Sequence, residues 1–211
     1  MATTAFTAFL PEILPQLPAC SDLIAVNAVR NACIDFCTGA LFWNETLDPV
    51  TVTDTDFPYD LEAPSGARVV SVMSVAVDGM AIPPVFLDAL EKLPSWGDAM
   101  AATPAVFCQP NPSQLFLYPR LDAPATMVVR AAFAPTRSAS TVDYLVYNEY
   151  LEEIAAGAMG KLMKMPGQPW SNPETGGYYS DLFEKAITDA ASRVNKSFSR
   201  ADTAIAMRSF A

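Results

Sequence analysis

Pairs of carboxylates are the residues in this sequence whose types and spacing come closest to a catalytic arrangement. Three such pairs occur along the chain: Glu45 with Asp48, Asp54 with Asp56, and Glu152 with Glu153. Two carboxyl groups can hydrolyse a glycosidic bond, one as a general acid and the other as a nucleophile or base. Neighbouring acids are nevertheless far more often solvated on a protein surface than catalytic. The pairs therefore permit a hydrolase without predicting one.

Other catalytic and metal-binding patterns are missing from the sequence. There is no histidine, which excludes nucleophilic triads of the Ser-His-Asp and Cys-His kinds. No P-loop or dinucleotide fingerprint occurs, because Gly157 and Gly160 lie inside a predicted helix. Asp54, Asp56 and Asp60 lack the glycine and the terminal glutamate of a calcium loop. The sequence indicates no enzyme, no metal site and no cofactor.

The four cysteines, Cys20, Cys33, Cys37 and Cys108, show no Cys-x-x-Cys spacing. Zinc binding is therefore not expected, and we predict free thiols in a reducing compartment. The N-terminus lacks the basic region of a signal peptide, and no apolar run approaches the ~20 residues of a membrane span. No membrane partner is expected.

The charge of the chain is acidic and uneven. The net charge is −10, and residues 1–150 hold 16 acids and 6 bases, whereas residues 151–211 hold 7 of each. This balance argues against nucleic acid as the main binding partner, because duplex binding relies on phosphate neutralisation by Lys and Arg. With 51% hydrophobic and only 17% charged residues, the composition suggests that part of the surface is buried in an assembly.

The sequence pattern from Asp143 to Trp170 predicts a long helix, and we expect the rest of the chain to pack around it. Apolar residues at steps of three and four give it one buried face, Thr141 is a candidate N-cap, and Pro166-Gly167 ends it. Two interior glycines, Gly157 and Gly160, cost about 1 kcal/mol each relative to alanine. Either a neighbouring helix of the same chain or another subunit approaches this face closely.

The predicted fold class is α+β: a helical bundle with an antiparallel β-sheet inserted between the first and second long helices, followed by an extended C-terminal tail. A β-branched run that ends at Asp78-Gly79 indicates a hairpin within the sheet. We divide the chain into an N-terminal arm (1–20), a helical ring-forming part (21–48 and 141–196), a β insertion (49–140) and a C-terminal docking tail (197–211).

Two tryptophans flank the helical part. Trp43 ends the first predicted helix and Trp170 follows the second, each beside a break in the pattern. Such residues are either core residues at a hinge or anchors of an interface.

Several stretches over nearly the whole chain carry a family resemblance. They are 22–43, Tyr59-Asp60-Leu61, Pro64-Ser65-Gly66-Ala67, Leu115-Phe116-Leu117-Tyr118-Pro119, 153–158, Pro166-Gly167-Gln168-Pro169-Trp170, Tyr179, Phe183 and Arg208-Ser209-Phe210. On these residues the chain resembles the phage head-to-tail connector family, the adaptor, tail tubular A or gatekeeper-like proteins beneath the portal.

The resemblance implies a virion structural protein at the head-to-tail junction, assembled in the host cytoplasm. Twelve copies would form a homo-oligomeric ring that binds the portal protein on one side and the tail nozzle or tube protein on the other. Genomic DNA would pass through the lumen during ejection without specific binding, and an acidic channel suits this because it repels the duplex. Candidate subunit-interface residues are Trp43, Gly157, Gly160 and Trp170; candidate portal-docking residues are Arg200, Arg208 and Phe210.

Two alternatives remain open from the sequence. One is a tail-associated muralytic (peptidoglycan) hydrolase that uses a carboxylate pair. The other is a monomeric binding module with no role in a virion, which assembly state would distinguish from a ring.

Overall fold

A computed structural model describes residues 2–196 of the chain. The described part is α+β and contains five α-helices and several mainly antiparallel sheets. The helices are α1 (Leu10–Ile13), α2 (Asp22–Ala40), α3 (Leu87–Leu90), α4 (Tyr144–Met163) and α5 (Pro173–Asn195). Single 3-10 turns occupy Phe6–Phe9 and Asp54–Asp56.

The strands are short except for two of eleven residues. They are β1 (Thr3–Ala5), β2 (Asn44–Thr46), β3 (Val50–Val52), β4 (Tyr59–Asp60), β5 (Ala67–Val77), β6 (Met80–Ile82), β7 (Met100–Ala101), β8 (Val106–Asn111), β9 (Gln114–Tyr118), β10 (Arg120–Leu121), β11 (Ala125–Pro135) and β12 (Thr141–Asp143).

The strands divide into separate sheets rather than one. The largest has the order β2-β11-β5-β6, with β3 also paired to β11; a second has the order β4-β9-β8. β1 pairs with β12, and β7 pairs with β10 in parallel. The predicted arrangement, a helical bundle with one inserted antiparallel sheet, is therefore wrong. Strands of two or three residues are too short to show a period, and their partners are distant in sequence, so the pattern did not reveal the separate sheets.

The long antiparallel ladder between β5 and β11 organises the main sheet. It runs from Met127 opposite Val77 to Pro135 opposite Ala67, with register irregularities after Arg130 and Ala132. The turn at Asp78-Gly79 joins β5 to β6, as the sequence predicts, and both turn residues have the positive φ that such hairpins need.

Helices α2, α4 and α5 pack together, and α2 contacts β11 of this sheet. Phe36 of α2 is fully buried at their junction, where its ring centroid lies 4.6 Å from that of Tyr150 and 6.4 Å from that of Phe183. Trp43, just beyond α2, contacts Phe133 of β11, with ring centroids 6.0 Å apart. These aromatic contacts join the helical layer to the sheet in one continuous core.

The start of α4 differs from the prediction. Thr141 belongs to β12, and the N-cap is Asp143, whose carboxylate accepts a hydrogen bond of 2.8 Å from the Leu145 amide. Within α4, Tyr150 has non-helical torsions (φ −136, ψ 29), so the helix is kinked at that residue. The two halves of α4 therefore have different directions.

Among residues 2–196, none of the helices combines the length and the apolar character that a bilayer span requires.

Candidate interaction surfaces

The interior glycines of α4 set the distance to α5. A Cβ atom built on Gly157 would lie 2.6 Å from Cδ2 of Phe183, and one on Gly160 would lie 2.7 Å from Oγ of Ser180 and 3.2 Å from the Gly176 carbonyl. Side chains at these positions would overlap α5. Both glycines are buried within the chain, and helix–helix packing accounts for them; their role as subunit contacts stays a prediction.

The two tryptophans have different surroundings. Trp43 is buried, and its indole N–H donates a hydrogen bond of 2.8 Å to the Glu45 carboxylate. Trp170 is only partly buried against the core, yet its Nε1 is enclosed and has no hydrogen-bond partner among the described residues. The assignment of either residue to a subunit interface stays a prediction.

The predicted portal-docking residues Arg200, Arg208 and Phe210, and the predicted tail 197–211, lie outside the described residues. Their assignment also stays a prediction.

The three carboxylate pairs have different surroundings in the structure. Asp54 pairs with Arg120, with Nε and Oδ1 2.6 Å apart, but the two groups are not aligned for a hydrogen bond. The Arg120 guanidinium also lies 4.7 Å above the centre of the Phe57 ring. Asp54 is thus occupied in a structural contact. The other two pairs line two surface grooves.

The first of these, which we call the acidic groove, has a volume of about 680 Å³. Its rim carries Glu45, Asp48, Asp56, Asp60 and Glu62, and its apolar lining includes Val50, Val52, Leu61, Met127 and Val129. None of the residues that line it is Lys or Arg. Glu45 is half-buried, and the other four rim carboxylates are exposed. A glycosidase, in contrast, shields its general acid from water, so the rim does not resemble a glycosidase site.

Tyr59 also lines the acidic groove and is only 1% exposed. Burial and the charge of nearby Asp54 raise the pKa of its hydroxyl to about 12. That hydroxyl has no hydrogen-bond partner among the described residues. It is therefore a neutral, unsatisfied polar group at the edge of the groove.

The second groove, the helical groove, has a volume of about 370 Å³ and lies between α4 and α5. Glu152 and Glu153 line it together with Lys185, Asp189 and Arg193. Its charges are therefore mixed, and cations lie beside the carboxylate pair.

Arg193 and Tyr150 form the polar end of the helical groove. Nη1 of Arg193 donates a hydrogen bond of 3.0 Å to the Tyr150 hydroxyl, and Nη2 lies 3.7 Å from the Glu149 carboxylate. Burial raises the pKa of Tyr150, although the adjacent guanidinium opposes this. The contacts join the kink of α4 to the last turn of α5.

Exposed apolar side chains lie beside the helical groove. Tyr178 and Leu182, one turn apart on α5, are 62% and 40% exposed. On the sheet side, Phe86 is 87% exposed. The sequence pattern did not single out these residues, because an amphipathic helix pattern identifies its buried face and not the apolar residues outside it.

The four cysteines are free and buried. Burial raises the pKa of Cys33 well above its ordinary value, and it raises that of Cys37 as well. No group of three or more Cys, Asp or Glu residues within residues 2–196 has a metal-binding arrangement.

Open grooves and exposed apolar side chains on a helix are typical of a protein that acts through contacts with other proteins. The chain belongs to the SU10 adaptor protein family, whose model matches residues 6–208, nearly its whole length. The predicted resemblance to phage head-to-tail adaptors is therefore confirmed, whereas the narrower likeness to tail tubular A proteins is not. Among curated proteins no match was found.

The family identifies a phage structural protein of the head-to-tail junction, which interacts there with portal and tail proteins. Membership of the adaptor family indicates a structural role for the chain.

Proposed function

We propose that twelve copies of this chain form a closed ring beneath the portal and that the ring joins the portal to the tail. Membership of the adaptor family carries this proposal. A low charged fraction of 17% supports it, because each subunit of a ring buries two flanks against its neighbours.

The outer face of α5 is the surface we assign to the subunit contact. Tyr178 and Leu182 are exposed there, and the helical groove continues alongside them. Gly157 and Gly160 take part indirectly, because they let α5 lie close to α4. Trp43 and Trp170 remain candidate residues of the subunit interface.

The net charge of −10 supports passage of DNA through the lumen of such a ring. A negative surface repels the phosphate backbone, so the duplex can move without binding. Specific contacts to DNA are not part of the proposal.

The portal contact is assigned to Arg200, Arg208 and Phe210. Replacing all three with alanine is expected to weaken binding to the cognate portal protein by about tenfold or more, because arginine and aromatic side chains often dominate an interface. Binding can be measured by surface plasmon resonance with the full-length chain.

A matched control replaces Phe86, Lys92 and Arg137, an exposed phenylalanine and two exposed cations elsewhere on the chain. Its affinity for the portal should stay within about twofold of the wild type. Equal losses in the two triple variants, or no loss in the first, would contradict the assignment to the C-terminal residues.

A further inference from the structure

None of the residues that line the acidic groove belongs to α5, to which the subunit contact is assigned. Its rim holds five carboxylates, and its lining holds no cation. Within residues 2–196, none of the five forms an ion pair.

Among the described residues, hydrogen bonds engage two of the five carboxylates. Glu45 accepts from the Trp43 indole, and Asp56 accepts from the backbone and the hydroxyl of Thr53. Asp48, Asp60 and Glu62 are exposed and accept no hydrogen bond from the described residues. Three carboxylates along the groove are thus available to cations of another molecule.

The lining of the groove is apolar, which distinguishes it from a solvated acidic surface. Val52, Met127 and Val129 are buried beneath it, and Val50 is 53% exposed at its side. A hydrated metal ion or a polyamine gains little from such a lining, whereas a segment with aliphatic side chains buries it. The cavity volume of about 680 Å³ is within the range of sites that enclose small ligands or short segments.

The groove is also bordered by strands with unpaired edges. Among the described residues β3 pairs only with β11, and β4 pairs only with β9. Each therefore has a second edge that pairs with no strand among the described residues. Tyr59 of β4 lines the groove, and its buried hydroxyl has no hydrogen-bond partner among the described residues.

We propose that the acidic groove binds an extended segment of another protein in which Lys or Arg alternates with aliphatic residues. The basic side chains contact Asp48, Asp60 and Glu62, and the aliphatic ones pack on Val50 at the side of the groove. The proposal does not depend on ring formation or on the portal contact.

A direct test uses the full-length protein and a fluorescein-labelled, amidated Arg-Val-Arg-Val-Arg peptide, with fluorescence anisotropy as the readout. The triple variant Asp48→Asn, Asp60→Asn, Glu62→Gln should bind the peptide about tenfold more weakly than the wild type. The variant changes only exposed side chains and leaves the lining intact.

The matched control is Asp88→Asn, Glu91→Gln, Asp98→Asn, which removes the same charges from exposed positions outside the groove. Its affinity should stay within about twofold of the wild type. An Arg-Ser-Arg-Ser-Arg probe, with the same charge and no aliphatic side chains, should bind the wild type about fivefold more weakly or worse. In hydrogen exchange, the Val peptide should protect amides within residues 45–64.

Three results would overturn the proposal: equal losses in both triple variants, equal binding of the two probes, or no binding of the Val peptide to the wild type. The first two would mean that net charge alone attracts the peptide. Failure of ring assembly would leave the outcome of this test unchanged, since the test uses no portal and no second copy.

Discussion

Gly157 lies beneath the ring of Phe183, and this contact shows how a single residue fixes the packing of the helical layer. α4 can approach α5 closely because neither Gly157 nor Gly160 has a side chain. From the sequence, either a helix of the same chain or another subunit could account for the two glycines. The structure places α5 there, and any subunit contact in this region reaches the outer side of α5 first.

Replacing Gly157 with alanine should destabilise the protein. The new Cβ would lie 2.6 Å from a buried aromatic carbon, and Phe183 cannot move without disturbing Phe36. Overpacking of this kind costs about 1–3 kcal/mol in the free energy of unfolding. Urea denaturation followed by circular dichroism measures it.

Gly177→Ala on α5 is the matched control, because no atom lies within 4 Å of the Cβ it would add. This variant should gain up to about 1 kcal/mol from helix propensity. If Gly157→Ala were also neutral or stabilising, the close contact between α4 and α5 would be wrong.

Asp143 should make the stability of the fold depend on pH, because burial raises the pKa of its carboxyl above the ordinary value. An acid with a raised folded-state pKa loses stability as pH rises from its unfolded pKa through its folded one, and the loss stays constant above that window. Asn is an equally good N-cap. Asp143→Asn should therefore be more stable than the wild type at about pH 7, and the difference should shrink as pH falls towards about 4.

Thermal unfolding of the two proteins across that pH range measures the effect. Asp143→Ala, which also loses the hydrogen bond to the Leu145 amide, should be about 1 kcal/mol less stable than Asp143→Asn at every pH. If the stability of Asp143→Asn relative to the wild type were lowest at neutral pH, the charge of Asp143 would stabilise the fold, which contradicts the prediction.

At the scale of elements, the N-terminal segment belongs to the helical layer. β1 pairs with β12 directly before α4, and Phe6, Phe9 and Ile13 are buried. The Phe9 ring meets the Tyr147 ring edge-on, with centroids 5.1 Å apart. The segment thus fixes the start of α4 from outside the helix.

Phe9→Ala should cost about 3–5 kcal/mol in the free energy of unfolding, the range for truncation of a fully buried phenylalanine. Phe86→Ala is the same substitution at a position that is 87% exposed, and it should change stability by no more than about 0.5 kcal/mol. Chemical denaturation of both variants tests the difference. Similar costs at the two positions would contradict the packing of the N-terminal segment.

The sequence predicts the elements with strong local patterns and misses those that depend on distant partners. α2, α4 and α5 follow from apolar residues at helical spacing, and the hairpin follows from Asp78-Gly79. The separate sheets do not, because β4 pairs with β9 across more than fifty residues. The kink at Tyr150 also leaves no local signal, as neither proline nor glycine occurs there.

For the candidate surfaces too, the sequence shows the residue types but not how distant residues come together. Glycines and tryptophans stand out by type, but type alone does not distinguish a core contact from an interface. Glu45, Asp48, Asp56 and Asp60 were visible as acids, whereas their convergence on one groove needed the pairing of β3 with β11 and β4 with β9.

At the scale of the whole molecule, an acidic chain with few charged residues suits an adaptor between two protein partners. In the proposed ring, α5 and the helical groove would face neighbouring subunits, and the acidic groove would bind the basic segment proposed above. These are different surfaces, so one copy can contact several partners at once.

The mass of the protein with its cognate portal tests the ring most directly, using light scattering coupled to size exclusion. Twelve copies of a 22.7 kDa chain should add about 272 kDa to the portal complex. A species of about 23 kDa that does not bind the portal at any ratio would contradict the ring and favour a monomeric module.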